Sequence, residues 1–131
     1  MLEINWIATA VAAVIFFVIG AIWFSKPVFL TPWMKSAGLA DDYAQTGSQP
    51  LILVGAFVLI AIMAVLLAVF TDPLDFAGTV GASLAAGLGW AALSFWMLAL
   101  FERKSFTYVA INAGYLVVGF TAMGVILGLW K

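Results

Sequence analysis

The sequence has 131 residues, of which 66% are hydrophobic and 8% are charged, and its formal net charge is −1. A soluble domain is about half apolar and about a quarter charged, so this chain has too few polar residues for a surface that faces only water. It contains no cysteine or histidine, which excludes disulfides, thiolate chemistry and histidine-ligated metals. We predict no cofactor, and the charge gives no basis for nucleic-acid binding.

Four uncharged apolar stretches predict the fold. Each is long enough for a helix to cross a hydrocarbon core, which takes about 20 residues. Helices are required because lipid offers the backbone no hydrogen-bond partners. The predicted spans are span 1 (residues 4–24), span 2 (51–71), span 3 (77–101) and span 4 (106–130). We therefore predict an all-α integral membrane protein, with four transmembrane helices in an antiparallel bundle that forms one domain over residues 1–131.

The first connection predicts a further helix at the membrane surface. Residues 29, 30, 33, 34 and 37 are apolar and share one helical face, and Gly38 is a suitable C-terminal stop. We predict a short interfacial amphipathic helix within about residues 27–38. Its role is either to anchor span 1 at its depth or to form a docking face for a lipid or a partner protein. The predicted interfacial anchor residues are Trp23, Lys26, Phe29, Trp33 and Lys35.

The other two connections, residues 72–75 and 102–105, are short and predict antiparallel neighbours. Asp75 and Ser105 are placed to cap the N-termini of spans 3 and 4. The first and third connections carry four basic residues, Lys26, Lys35, Arg103 and Lys104, whereas the other side carries Lys131. The positive-inside rule then predicts that these two connections are cytoplasmic and that both termini lie outside the cytoplasm.

Few polar side chains lie within the predicted spans, and none of them is an acid or a base. This argues against a proton-coupled transporter. Asn112 shares a helical face with the tyrosines four residues before and three residues after it, and Asn5 lies at the mouth of span 1. These residues either form hydrogen bonds between helices or line a small polar pocket. The candidate polar pocket is Asn5, Tyr108, Asn112 and Tyr115.

Small residues recur at helical spacing in spans 3 and 4. They allow helix backbones to approach closely in lipid, either within the bundle or between two copies of the chain. The candidate helix-packing residues are Gly78, Gly81, Ala85, Gly89, Gly124 and Gly128. Three aromatic residues of span 3, Trp90, Phe95 and Trp96, either pack in the bundle or line a ligand groove.

The order and spacing of several residues resemble one family of small bacterial membrane proteins. The resemblance covers nearly the whole chain, and the segment 41–92 is its least distinctive part. The residues that carry it are Asn5-Trp6, Gly20, Trp23, Phe24-Ser25, Phe29, Trp33-Met34, Asn112-Ala113-Gly114-Tyr115, Met123-Gly124, Leu127-Gly128 and Trp130. Together they resemble the family known as domain of unknown function 1761.

The resemblance implies four transmembrane helices in a bacterial inner membrane, and it implies no particular activity. The sequence departs from the family's pattern at three places. Phe24 stands where tyrosine is usual, Lys26 stands where proline is usual, and Leu116 stands where many members have a polar residue or histidine. A role that depends on that tyrosine hydroxyl or on that histidine is therefore absent here.

We predict a non-enzymatic membrane module that interacts with membrane lipid, with a second copy of itself or with a partner membrane protein. The serine and threonine hydroxyls of span 3 have no neighbouring base to activate them. One further option is a lipid-modifying accessory subunit, and the main alternative is an oligomeric transporter or channel for a small neutral or amphipathic solute. That alternative requires a water-accessible path lined by Asn112, Tyr115 and Thr121.

Overall fold

The computed structural model describes residues 4–25, 27–39 and 49–131, and these residues contain four long helices and one short helix. Span 1 is Trp6–Trp23, span 2 is Gln49–Thr71, span 3 is Phe76–Phe101 and span 4 is Phe106–Leu129. All four are long and apolar enough to cross a membrane. The described residues contain no strand, and the predicted all-α membrane fold is confirmed.

The starts of three spans are fixed by side chains, because the first N–H groups of a helix have no partner within the helix. The Oδ1 of Asn5 accepts from the N–H of Ala8 at 3.0 Å at the start of span 1. Asp75 and Ser105 cap spans 3 and 4, as the sequence predicts, through bonds to Gly78 N (2.7 Å) and Tyr108 N (3.3 Å).

The interfacial helix is Leu30–Ala37, which lies within the predicted segment 27–38. It ends at Gly38, whose φ of 76° is left-handed and therefore suits glycine. The predicted apolar face, which includes Phe29 and Trp33, is half-buried, whereas Lys35 is exposed. The helix packs against span 4, so it covers one end of the bundle.

Span 4 is the central helix, since it packs against both span 1 and span 3. Span 2 packs mainly against span 1, and it touches span 3 near the short turn that joins them. The core lies among spans 1, 2 and 4. Its largest fully buried side chains are Phe16 and Met123, and small residues such as Ala12 and Ala64 allow close approach around them. Spans 2 and 3 are therefore the peripheral helices of the bundle.

Span 3 contains a π-helical segment, Ala85–Ala92, which the sequence analysis did not predict. The buried residues of span 3 first follow a spacing of four, through Thr79, Ser83 and Gly87. The next buried residue is Ala92, five positions later. A π turn closes its hydrogen bond over five residues, and this extra residue accounts for the change of register. As a result, Trp90 lies on the outside of the bundle and is 71% exposed.

Candidate functional site

A cluster of aromatic side chains joins the interfacial helix to spans 1 and 4. We call it the aromatic clasp, and its members are Phe16, Trp23, Phe24, Phe29, Trp33 and Tyr115. Ring centroids are 5.0 Å apart for Trp23 and Phe29 and 5.0 Å apart for Phe24 and Trp33. Tyr115 continues the cluster into the bundle, at 5.3 Å from Phe24 and 5.0 Å from Phe16. Aromatic pairs at such distances add to the energy of packing.

The polar atoms of the clasp form hydrogen bonds between spans. The indole Nε1 of Trp23 donates to the carbonyl of Ile111 at 2.9 Å, and the hydroxyl of Tyr115 donates to the carbonyl of Phe16 at 3.2 Å. Both bonds connect span 1 with span 4. Each is worth about 0.6 to 2 kcal/mol in a membrane. The polar groups of Trp23 and Tyr115 are therefore satisfied, and the ring contacts of Phe29 and Trp33 join the interfacial helix to these residues.

The structure does not bring the four candidate polar-pocket residues together. Asn5 lies at the opposite end of the bundle from Tyr108, where its Nδ2 donates to the carbonyl of Trp130 at 3.2 Å. Asn112 donates to the carbonyl of Tyr108 at 2.8 Å, within its own helix. Tyr115 belongs to the aromatic clasp. A pocket that includes all four residues is therefore not formed.

The helix-packing residues divide between the inside and the outside of the bundle. A Cβ at Gly124 would meet the Ser83 side chain, and one at Gly128 would lie 2.9 Å from the Phe76 ring, so this pair packs against span 3. By contrast, Gly81 and Gly89 are exposed, with nothing within 4 Å of a Cβ at either position. Ala85 is exposed as well, and Gly78 lies beside the Asp75 cap.

The interfacial anchor residues have different surroundings. Trp23, Phe29 and Trp33 are members of the clasp, whereas Lys35 is exposed. Lys26 lies outside the described residues. The C-terminal end of the interfacial helix is contacted by Lys104, which is not one of the predicted anchor residues. Lys104 Nζ lies 3.4 Å from the carbonyl of Ala37 and 5.3 Å from the centre of the Tyr108 ring.

A cavity of about 560 Å³, lined by both polar and apolar residues, lies at the other end of the bundle. Its lining includes Asn5, Asp72, Trp130 and Lys131. The ammonium of Lys131 donates to the carbonyls of Thr71, Leu74 (2.8 Å) and Asp72 (3.2 Å). These carbonyls lie at and just beyond the end of span 2, where a cation is favourable because of the helix dipole. Sequence reasoning missed this role of Lys131 because no local pattern connects residues so far apart in the chain.

A second cavity, of about 550 Å³, is a groove between spans 2 and 3 that we call the lateral groove. Its walls include Leu66 and Phe70 of span 2 and Ala82, Ala86 and Trp90 of span 3, and Phe120 of span 4 also lines it. The lining is almost wholly apolar. The groove exists because spans 2 and 3 are in contact only near their connecting turn.

The three aromatic residues that the sequence analysis grouped in span 3 have separate positions. Trp90 lines the lateral groove. Phe95 packs against Tyr108, with ring centroids 5.5 Å apart, and Trp96 packs against Phe106 at 5.7 Å. The groove hypothesis for this group therefore applies to Trp90 alone, and the other two residues pack against span 4.

The two buried hydroxyls of span 3, those of Thr79 and Ser83, are engaged within their own region of the chain. Ser83 Oγ donates to the carbonyl of Thr79 at 2.7 Å, and the hydroxyl of Thr79 lies 3.5 Å from the carbonyl of Leu74. Among the described residues, no buried side-chain nitrogen or oxygen lacks a hydrogen-bond partner. These residues contain no group of three or more acidic, histidine or cysteine side chains that would hold a metal ion.

A family model described as "Protein of unknown function (DUF1761)" matches residues 7–128 of the chain. No curated protein and no solved structure matches the chain. Several residues that carry the resemblance meet in the aromatic clasp. A Cβ at Gly20 would lie 2.6 Å from the Tyr115 hydroxyl, and one at Gly114 would lie 3.2 Å from the Trp23 ring. The match covers nearly the whole length of the chain, and the chain belongs to the DUF1761 family of proteins of unknown function.

Proposed function

We propose that this chain is a non-enzymatic membrane module that binds lipid, and that the lateral groove holds a lipid acyl chain. The observation that carries the proposal is the apolar groove of about 550 Å³ between spans 2 and 3. It opens from the side of the bundle, between two helices that are long and apolar enough to cross a membrane. An occupant would therefore enter from the lipid phase.

The chemistry of the lining favours a hydrocarbon occupant. Leu66 and Phe70 on one wall and Trp90 on the other are 51%, 76% and 71% exposed. A polar solute in this groove would lose its hydrogen bonds to water without gaining partners, which costs several kcal/mol per group, of order 2 to 7. An acyl chain has no such groups, and it gains dispersion contacts with the lining side chains.

The size of the groove favours an acyl chain over a transmembrane helix. A helix is about 10 Å in diameter, so four turns of it occupy about 1,700 Å³. The groove has about 550 Å³. It is therefore too small to enclose another helix, and a single flexible acyl chain is the better fit.

The test compares two neighbouring alanines of span 3. Ala86 lines the lateral groove, whereas Ala85 is exposed and is not part of its lining. Ala86→Phe fills the groove, and Ala85→Phe adds the same side chain to the outer surface. Native mass spectrometry of each variant, released from nanodiscs of phosphatidylcholine, measures how much lipid the protein retains.

We expect Ala86→Phe to retain several-fold less lipid than the wild-type chain, and Ala85→Phe to retain as much as the wild type. Equal lipid retention by the two variants would contradict the proposal. A retained mass that belongs to a polypeptide would contradict it as well, because the occupant would then be a helix. Circular dichroism of both variants checks that their helix content is unchanged.

We further propose that the protein lies in the bacterial inner membrane, with both termini outside the cytoplasm. The described end that carries Lys35, Arg103 and Lys104 is richer in basic residues than the end that carries Lys131, and short basic connections favour the cytoplasmic side. An alkaline-phosphatase reporter fused after Lys131 is expected to be active. An inactive reporter whose fusion protein is expressed normally would reverse this orientation.

The alternative, an oligomeric transporter, has no specific support among the described residues. The path would need water-accessible polar groups at Asn112, Tyr115 and Thr121. Their side chains already donate to the carbonyls of Tyr108, Phe16 and Val117. Single cysteines at the three positions, treated with a water-soluble thiol reagent, test the path cleanly because the chain has no native cysteine. Labelling of those cysteines would support it.

A further inference from the structure

We propose that the chain has a second lipid-contact surface, which recognises the headgroups of anionic phospholipids. We call it the basic edge, and its residues are Lys35, Arg103 and Lys104. It lies at the interfacial-helix end of the bundle, whereas the lateral groove is lined by residues within 63–71 of span 2 and lies toward the other end. This inference concerns headgroup charge and does not depend on the proposed acyl-chain groove.

Two elements that are far apart in the sequence bring the basic edge together. The turn after span 3 bends sharply, with the N–H of Lys104 bonded to the carbonyl of Ala99 at 3.0 Å and Arg103 at a φ of 58°. This turn carries the Lys104 ammonium to the carbonyl of Ala37, at the C-terminal end of the interfacial helix. Lys35 lies in the last turn of that helix.

Two of the three cations are available for a ligand. Lys35 and Arg103 are exposed, and neither side chain has a hydrogen-bond or ion-pair partner within the part of the chain that the structure describes. Lys104 is held by Ala37 and Tyr108, so its charge has a fixed position. Glu102 is the one acidic side chain described at this edge, so the net charge of the described side chains there is positive.

The position of the basic edge relative to the membrane favours a phospholipid. Trp33 and Phe29 belong to the same end of the bundle, and aromatic residues at helix ends lie at headgroup depth. Cations at that depth attract anionic lipids. The opposite end differs, because the ammonium of Lys131 is occupied by three backbone carbonyls. The two ends of the bundle therefore present different groups to the two leaflets: exposed cations at the basic edge, and a lysine ammonium already bound by carbonyls at the other end.

The experiment uses the full chain in nanodiscs that contain equal parts of phosphatidylglycerol and phosphatidylcholine. Native mass spectrometry gives the ratio of the two lipids that the protein retains. The test variant combines Lys35→Gln with Arg103→Asn, since asparagine tolerates the left-handed backbone at position 103. Glu102→Gln is the matched control, because it makes the same surface more positive. The other charged residues of the first connection, Lys26, Asp41 and Asp42, are unchanged in every variant, so they do not contribute to a difference between the variants.

We expect the retained ratio of phosphatidylglycerol to phosphatidylcholine to fall about fivefold for each cation removed. The same ratio should rise in Glu102→Gln, and it should fall for the wild type as the salt concentration increases. An unchanged ratio in the double variant would overturn the proposal, and so would a lower ratio in Glu102→Gln. The groove variant Ala86→Phe should change the total lipid retained without changing this ratio, so the two proposals fail separately.

Discussion

Spans 3 and 4 lie side by side and both carry glycines at helical spacing, yet the two helices use these residues differently. In span 4, Gly119, Gly124 and Gly128 are buried, and a side chain at any of them would meet a neighbouring helix. In span 3, Gly81 and Gly89 lie on the outer surface. The difference arises because span 4 packs against span 1, span 3 and the interfacial helix, whereas the face of span 3 that carries Gly81 and Gly89 has no described helix beside it.

A stripe of small residues therefore marks a close approach between two helices only where a second helix packs against that face. Span 3 approaches span 4 at Gly87, where a Cβ would lie 2.8 Å from the Cβ of Phe120. This glycine is not part of the stripe that the sequence analysis selected. The outer stripe at Gly81, Ala85 and Gly89 remains available for a second copy of the chain.

One of the two largest expected effects comes from crowding the inner face of span 4. In Gly124→Leu, the new side chain would meet Ser83 and would lie close to the carbonyl of Thr79, at 3.3 Å from the Cβ. We expect the free energy of unfolding to fall by about 3 kcal/mol. Unfolding by dodecyl sulfate in mixed micelles, followed by circular dichroism, measures it.

The matched control for this variant is Gly81→Leu, which points away from the bundle and should leave the free energy of unfolding nearly unchanged. Equal losses in the two variants would show that the distinction between an inner and an outer face is wrong. Cross-linking of the control tests the alternative of self-association, because loss of a dimer with an intact fold would place the contact on the outer stripe.

The second effect concerns Phe16, the member of the aromatic clasp that lies in the hydrophobic core. Phe16 is 1% exposed and contacts Tyr115 and Phe120, whereas Phe101 is 82% exposed. Phe16→Ala leaves a cavity between spans 1 and 4, and we expect it to lower the free energy of unfolding by about 3 kcal/mol. Phe101→Ala should lower it by less than about 0.5 kcal/mol. The same denaturation measurement applies, and a similar loss in both variants would contradict the assigned core.

A smaller effect is expected from the hydrogen bonds between spans 1 and 4. Tyr115→Phe removes the bond to the carbonyl of Phe16, and Trp23→Phe removes the bond to the carbonyl of Ile111. Each variant should lose about 0.6 to 2 kcal/mol of unfolding free energy. Amide hydrogen exchange should increase in residues 30–37, because the clasp holds the interfacial helix. If exchange there stayed at the wild-type rate in both variants, the clasp would not be what fixes that helix.

The smallest effect is expected at Asn112. Its side chain donates to a carbonyl of its own helix and is half-buried. We expect Asn112→Leu to change the free energy of unfolding by less than about 1 kcal/mol and to leave lipid retention unchanged. A larger loss of stability, or a loss of retained lipid, would restore a functional role for this residue.

The membrane fold, the four spans and the helix caps at Asp75 and Ser105 could be predicted from the amino-acid sequence alone. These features depend on local hydrophobicity and on groups a few residues apart, so they can be inferred from neighbours along the chain. The apolar face of the interfacial helix is local in the same sense. The family followed from the order and spacing of aromatic and small residues, several of which meet in the clasp.

Which faces of those helices meet could not be predicted from the sequence and is known from the packing of the bundle. This packing separated Asn5 from Tyr108, placed Gly81 and Gly89 on the outside, and brought Lys104 and Lys131 to the ends of distant helices. Helices in lipid are apolar on every side, so hydrophobicity does not mark the buried face. The π segment then shifts the register within span 3, and the packing of Gly87 against span 4 fixes where the lateral groove lies.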